Sequence, residues 1–342
     1  TSGYRDEDGQ LVARMLDTPW CDGAVWSMNS MPGLPGSPTD FELKWNEELK
    51  QRLYGPEQEA VLDGEYIDSS EGYVTDELDF SRAHFSAALT PLCFATESHA
   101  PAIFRGLVAH GYVQRMAADV HSMDRLMMAN STPIRLCWLA PHLDVLGMET
   151  NWHSNGRWQP MSDFDLLYRR SMCKGKPFCI LMNTQFEQFS EELVEKYMQR
   201  ALAYGMFPGF FSHNASQGHY FTRPELYNRD RPLFKKYIPL CRLVAQAGWE
   251  PITRATTNDS RVYIERFGEQ LFTVFNSSDT LQAVTVHFED TRIATCRELV
   301  RDRMLTLSES SVSLELGPEQ VAVIAVENRE HLSELEAGFS HP

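Results

Sequence analysis

Residues 177–211 read PFCILMNTQFEQFSEELVEKYMQRALAYGMFPGFF. Pro177–Asn183 is a short apolar run that ends in a polar residue, the pattern of a buried strand. Glu191–Tyr204 is amphipathic and turns Leu193, Tyr197 and Leu202 inward. Gly205–Phe211 is apolar again. Strand, helix and strand in this order make a βα repeat, whose two strands run parallel because the helix carries the chain back.

The same rhythm extends upstream. Gly23–Ser30 (GAVWSMNS), Gly64–Ser69 (GEYIDS), Arg125–Asn130 (RLMMAN) and Leu143–Glu149 (LDVLGME) read as further strands. Helical stretches fall at Phe41–Tyr54, Ala102–Met123, Phe164–Met172 and Pro232–Ala247. From about residue 251 the period changes to two in RVYIERF, QLFTVFN, LQAVTVHF, VSLEL and QVAVIAV, which reads as an antiparallel β-sandwich. The expected organisation is therefore α/β. Residues 1–250 form a (β/α)8 TIM-type barrel, 251–328 a sandwich and 329–342 a polar tail. A full barrel takes about 250 residues and eight strands. Counting back from the sandwich numbers the six strands three to eight, so the barrel reads as N-terminally incomplete, with Thr1–Asp17 following a missing strand two. The alternative is an open doubly wound sheet; against it, Gly33–Gly36 lacks the G-x-G-x-x-G order of a phosphate loop.

Composition narrows the function. The 342 residues carry 31 basic and 47 acidic side chains, a net charge of −16. That disfavours a nucleic-acid surface, which needs clustered cations to displace counterions, and an anionic membrane surface. No apolar run approaches the roughly 20 residues of a membrane span, and the opening TSGYRDEDGQ is polar, unlike a signal peptide. Seven scattered cysteines form no C-x-x-C pair, so a zinc ribbon or redox dithiol is disfavoured. N-x-S/T sequons at Asn130, Asn214, Asn258 and Asn276 lean toward a secreted or lumenal compartment.

The densest chemical signal is DGEYIDSSEGY, residues 63–73. Strand alternation puts Tyr66 and Asp68 on one face, with Asp68 at the strand's end, where barrel active sites are built. The bland reading is an aspartate capping the turn that follows. Glu71 crowds the same rim, and two carboxylates so close are costly unless used. The second signal is HLDVLGMETNW, residues 142–152. Glu149 ends a strand, and Asn151 and Trp152 follow as an amide and an indole of the sort that read a sugar's hydroxyls and its C–H face; a rim ion pair with Arg157 is the alternative. Trp26, Asn29, Asn130, Asn183, His213 and Asn214 add amides and aromatics at other strand ends, though each by itself is an ordinary turn residue. Paired carboxylates on two strands of one barrel suit glycoside hydrolysis, with Asp68 as nucleophile and Glu149 as general acid/base, Glu71 being the alternative partner. Neither H-x-H, H-E-x-x-H nor G-x-S-x-G occurs, so no metal or cofactor is expected and a serine nucleophile is disfavoured.

With these residues in place, the sequence resembles glycoside hydrolases of the retaining α-glycosidase type, through EYIDSSEGY, DVLGMETNW and the junction RPLFKKYIPLCRLVAQAGWEPITRAT with VYIERFG and LFTVFNSS. The resemblance implies a nucleophilic Asp after barrel strand four, matching Asp68, an acid/base after strand six, matching Glu149, a C-terminal sandwich, and a carbohydrate as substrate. A non-catalytic carbohydrate-binding barrel is the alternative from the binding class. The sequence leaves the sugar and the oligomeric state open.

Overall fold

Alternation near the start of the chain builds a hairpin. β1 (Ala13–Thr18) and β2 (Cys21–Trp26) pair antiparallel from Ala13 opposite Trp26 to Thr18 opposite Cys21, in a computed structural model that describes residues 1–18, 21–71, 77–212 and 218–328. The stretch Gly23–Ser30 is thus one arm of a two-stranded ribbon, which corrects its reading as the third parallel barrel strand. ARMLDT supplies the partner strand, and a strand paired with its sequence neighbour needs no parallel one. Thr18 closes the ribbon: its hydroxyl donates to Cys21 O at 2.9 Å and accepts from Cys21 N at 3.1 Å.

The chain divides into two compact units, Thr1–Met148 and Glu149–Pro342. In the first, α1 (Asp40–Lys44) opens with a capping box between Thr39 and Glu42, and α2 (Glu47–Tyr54) restarts at Asn46, whose side chain accepts from Leu49 N at 2.9 Å. One expected helix is therefore two. β3 (Gly64–Ile67) follows, then a small antiparallel sheet of β4 (Leu78–Asp79), β5 (Cys93–Phe94) and β6 (Pro101–Phe104). The long helix α3 (Arg105–Ser122) leads to β7 (Leu126–Ala129) and then β8 (Val145–Thr150), which straddles the division. β7 pairs parallel with β3 and with β8. Gly64 is required there, since a Cβ would stand 2.0 Å from Leu126 O.

The second unit continues with a short ribbon of β9 (His153–Ser154) and β10 (Arg157–Trp158). Next come α4 (Asp163–Cys173), β11 (Phe178–Thr184), α5 (Glu191–Ala203), β12 (Phe207–Ser212) and α6 (Pro224–Ala247). β11 and β12 pair parallel from Cys179 opposite Phe207 to Thr184 opposite Ser212, as the βα rhythm requires. The buried Tyr197 of α5 bolts the helix to both strands: its hydroxyl donates to Ile180 O at 2.7 Å and accepts from Gly209 N at 3.0 Å.

Ten strands then form the sandwich: β13 (Trp249–Glu250), β14 (Ala255–Thr257), β15 (Val262–Phe267), β16 (Leu271–Asn276), β17 (Gln282–Phe288), β18 (Ile293–Glu298), β19 (Arg303–Leu305), β20 (Leu307–Ser308), β21 (Ser311–Leu316) and β22 (Val321–Asn328). One sheet has the order β13–β15–β16–β22–β18–β19 and the other β14–β17–β21–β20, with every pairing antiparallel. Phe272, Val274 and Ile324 meet Val284, Val286 and Leu314 between the sheets. All of β16 is buried, because its other face lies on α5, where the Thr273 hydroxyl donates to Ala203 O at 2.6 Å. Among the described residues, no helix is long and apolar enough to cross a membrane.

Tyr197→Phe keeps the ring and removes the hydroxyl, leaving a buried amide and a buried carbonyl without that partner. Urea unfolding is expected to show a loss of about 1–3 kcal/mol; an unchanged midpoint would contradict the bolt.

Candidate active site

The sequence around Asp68 folds as a turn because Ser69 adopts a left-handed backbone with φ of 50° directly after β3. Ser70 then reaches the segment after β7: its amide and hydroxyl both donate to Asn130 O, at 3.0 and 2.9 Å, and its hydroxyl also bonds the Thr132 hydroxyl. Glu71 completes the join. Its side chain is 1% exposed, and Oε2 accepts the backbone amides of Arg135 and of Leu136, the latter at 2.8 Å. One oxygen of this carboxylate is taken by backbone, while Oε1 is buried with no bond to the described residues, and Glu71 does not line the cavity beside Asp68, unlike its expected place in the substrate site.

Asp68 is different. It is exposed, and Oδ1 accepts from Asn130 Nδ2 at 2.9 Å and, at 3.4 Å, from the Tyr66 hydroxyl. Two neutral donors orient the side chain, which lines a cavity of about 560 Å³. Strands, ribbon and helix share the lining: Tyr66, Asp68 and Ser70 from β3 and its turn, Arg14, Leu16 and Val25 from the ribbon, and Arg105, Val108, Tyr112 and Met116 from α3. The volume lies within the range of small-molecule sites, and apolar walls with a few convergent polar groups are their usual lining. The cations on the wall are already paired. Arg14 Nε lies 3.2 Å from Glu77, Arg105 bonds the other oxygen of Glu77, and Lys44 lies 2.7 Å from Asp40. Burial, with Asp40 and Glu65 adding to it, pushes the Tyr112 phenol up to about 12, so it stays a proton donor at neutral pH.

Of the expected site residues, the structure brings Trp26, Tyr66, Asp68 and Asn130 together, with Trp26 52% exposed on the cavity's wall and Asn130 behind the carboxylate. Asn29 is not among them. It is wholly buried, donates to Asp79 at 3.0 Å and accepts from Met31 N at 3.1 Å, so it serves the core. Asp79 also bonds His84 Nδ1 at 2.6 Å, and His84 Nε2 meets Thr1 O at 2.7 Å. Burial works against a charge on His84, but these two bonds prevail and raise its pKa. Arg14 and Tyr112 were not expected; their signal lay in the alternation of ARMLDT and in the spacing of Val108, Tyr112 and Met116 on one face of α3.

In the second unit Glu149 stands exposed near the end of β8. Asn151 is an exposed turn residue that accepts from His153 N at 3.1 Å. Trp152 offers no face to a sugar: it is 1% exposed and packs edge-on against Trp158 and Tyr197, which corrects its assignment to the substrate site. Asn183 is half-buried, and its Oδ1 joins the hydroxyls of Thr184 and Ser212 as buried polar atoms with no bond to the described residues. These three lie at the C-terminal ends of β11 and β12, a polar edge of the kind that needs partners. His213, Asn214 and the tail 329–342 lie outside the described residues.

Among the described residues, no three His, Cys, Asp or Glu side chains gather as a metal site. All seven cysteines are free thiols, and burial pushes Cys173 and Cys241 up to about 12, too high for thiolate chemistry at neutral pH. Two of the sequon asparagines, Asn130 and Asn276, are buried and bonded, which closes them to a glycan in the folded chain.

No protein-family model and no curated protein matches the sequence. Solved structures do. A GH30 endoxylanase from Clostridium papyrosolvens C71 is 12% identical with a TM-score of 0.36, over 64% of this chain and 59% of that one. An α-galactosidase I from Mortierella vinacea is 9% identical at 0.41, over 65% and 63%. An α-amylase from Geobacillus thermoleovorans, complexed with acarbose, is 12% identical at 0.40, over 64% and 57%. The chain spans about three fifths of the length of these structures. All three bear the names of glycoside-cleaving enzymes. Each is a likeness in outline alone, and no residue's role is transferred from it.

Two outcomes are expected from this geometry. Glu71→Ala should cost about 2–4 kcal/mol by stranding two amides, whereas Asp68→Asn should cost under about 1 kcal/mol; chemical denaturation of both variants reads the difference, and equal losses would contradict it. Folding raises the His84 pKa, so its contribution is complete below its unfolded value near 6.5 and fades as pH rises through the higher folded value. Wild type is expected to lose stability across that window relative to His84→Gln, measured by melting temperature against pH.

Proposed function

We propose that the chain carries the catalytic residues of a glycoside hydrolase acting with retention of configuration. The observation that carries this reading is Asp68: an exposed carboxylate, oriented by Asn130 and Tyr66, on the wall of a cavity with aromatic and hydroxyl-bearing sides. In this reading β3, β7, β8, β11 and β12 are strands four to eight of a (β/α)8 barrel within residues 1–250, followed by the 251–328 sandwich.

Asp68 attacks the anomeric carbon as the glycosidic C–O bond breaks, and Glu149 gives its proton to the departing oxygen. Glu149 then takes a proton from water, whose oxygen displaces Asp68 and restores both carboxyl groups. The substrate is a carbohydrate; no cofactor, nucleic acid or membrane enters the scheme.

Turnover on a panel of nitrophenyl glycosides and disaccharides tests the assignment. Asp68→Asn is expected to abolish hydrolysis. Glu149→Gln should lower kcat by roughly 10²–10⁴ on disaccharides and far less on nitrophenyl leaving groups, which need little protonation. The first-formed sugar, followed by NMR, should keep its anomeric configuration. Ordinary turnover by Asp68→Asn would overturn the reading, and wild-type binding without turnover across the panel would favour a carbohydrate-binding barrel instead.

A further inference from the structure

The cavity beside Asp68 has an apolar side as well as its hydroxyl-bearing one. Its polar groups include Asp68, Ser30, Ser70 and the Tyr66 and Tyr112 hydroxyls, beside Arg14, Lys44 and Arg105. Leu16 and Val25 on the ribbon and Val108, Ala109 and Met116 on α3 give the same cavity an apolar side. Ribbon alternation puts Leu16 and Val25 on the same side as Arg14, and the α3 residues share a stripe at helical spacing. Pyranose hydroxyls pressed against these side chains would give up water for no hydrogen bond. An anionic sugar gains little either, because Arg14 and Arg105 are both committed to Glu77 and Lys44 to Asp40.

The geometry points to a substrate that is a glycoside with an apolar alkyl or aryl group, held by the ribbon and α3 while its sugar meets Asp68. This inference rests on the glycosidase reading, which it narrows from carbohydrates in general to hydrophobic glycosides. The energetic expectation is large, since a fully buried methylene strengthens binding about fourfold.

Calorimetric binding of non-hydrolysable methyl and hexyl 1-thioglycosides of glucose, galactose, mannose and xylose, both anomers, tests it below micellar concentrations. In at least one sugar series, wild type should bind the hexyl compound at least tenfold more tightly than the methyl one. Leu16→Ser and Val25→Ser should each shrink that ratio to threefold or less. A flat methyl-to-hexyl ratio in every series overturns the inference, as does a ratio that both variants leave unchanged. Turnover of methyl and nitrophenyl glycosides is measured alongside. A flat ratio with turnover removes the apolar subsite and leaves the hydrolase, whereas a steep ratio without turnover leaves the subsite and removes hydrolysis. Should either variant fail to fold, the wild-type ratio still decides.

Discussion

One buried carboxylate holds the mouth of the first unit together. Glu71 sits at the end of the turn after β3 and takes the amide hydrogens of Arg135 and Leu136 from the segment after β7. Ser70 adds its bonds to Asn130 and Thr132 on the same segment. Buried amides must find acceptors, and a carboxylate oxygen supplies one here. The two strand-end segments therefore act as one surface, and that surface sets Asn130 behind Asp68. Two acids three residues apart thereby divide the work: the inner one fixes backbone, and the outer one faces the cavity.

The second unit shows the same economy of rigid support. Tyr197 ties α5 to the backbones of β11 and β12, and the far side of α5 receives β16 of the sandwich through Thr273. Gln199 Oε1 also accepts Val321 N at 3.1 Å at the start of β22. A helix pinned on both faces cannot slide, so the polar ends of β11 and β12 are held by packing far from them. Sites borne on such elements keep their geometry better than sites on free loops.

Much of this was legible in the sequence because burial leaves a period. PFCILMN and GMFPGFF read as strands since parallel strands are covered on both faces, and the sandwich strands alternate or run apolar accordingly. β3 stops at Ile67, short of the expected strand end, so Asp68 lies in the turn, where the Tyr66 hydroxyl still reaches it. The misreadings have a common cause: spacing cannot tell which neighbour a residue meets. GAVWSMNS looked like a barrel strand because its ribbon partner ARMLDT mixes charge with apolar residues. Trp152 looked like a sugar platform but fills an aromatic cluster, and Asn29 looked like a strand-end ligand but satisfies Asp79. Glu71 and Asp68 were indistinguishable as letters; only the backbone folding over one of them separated their roles.

The proposed mechanism makes Asp68 the residue that bonds to sugar. Incubation with activated 2-deoxy-2-fluoroglycosides and cyclitol epoxides of several sugar configurations, followed by peptide mapping, reads this directly, because a retaining enzyme stalls as its covalent glycosyl ester. A single adduct is expected on the peptide containing EYIDSSEG, localised to Asp68. An adduct on Glu71, on Glu149 or on any other side chain, in protein that hydrolyses glycosides, would contradict it.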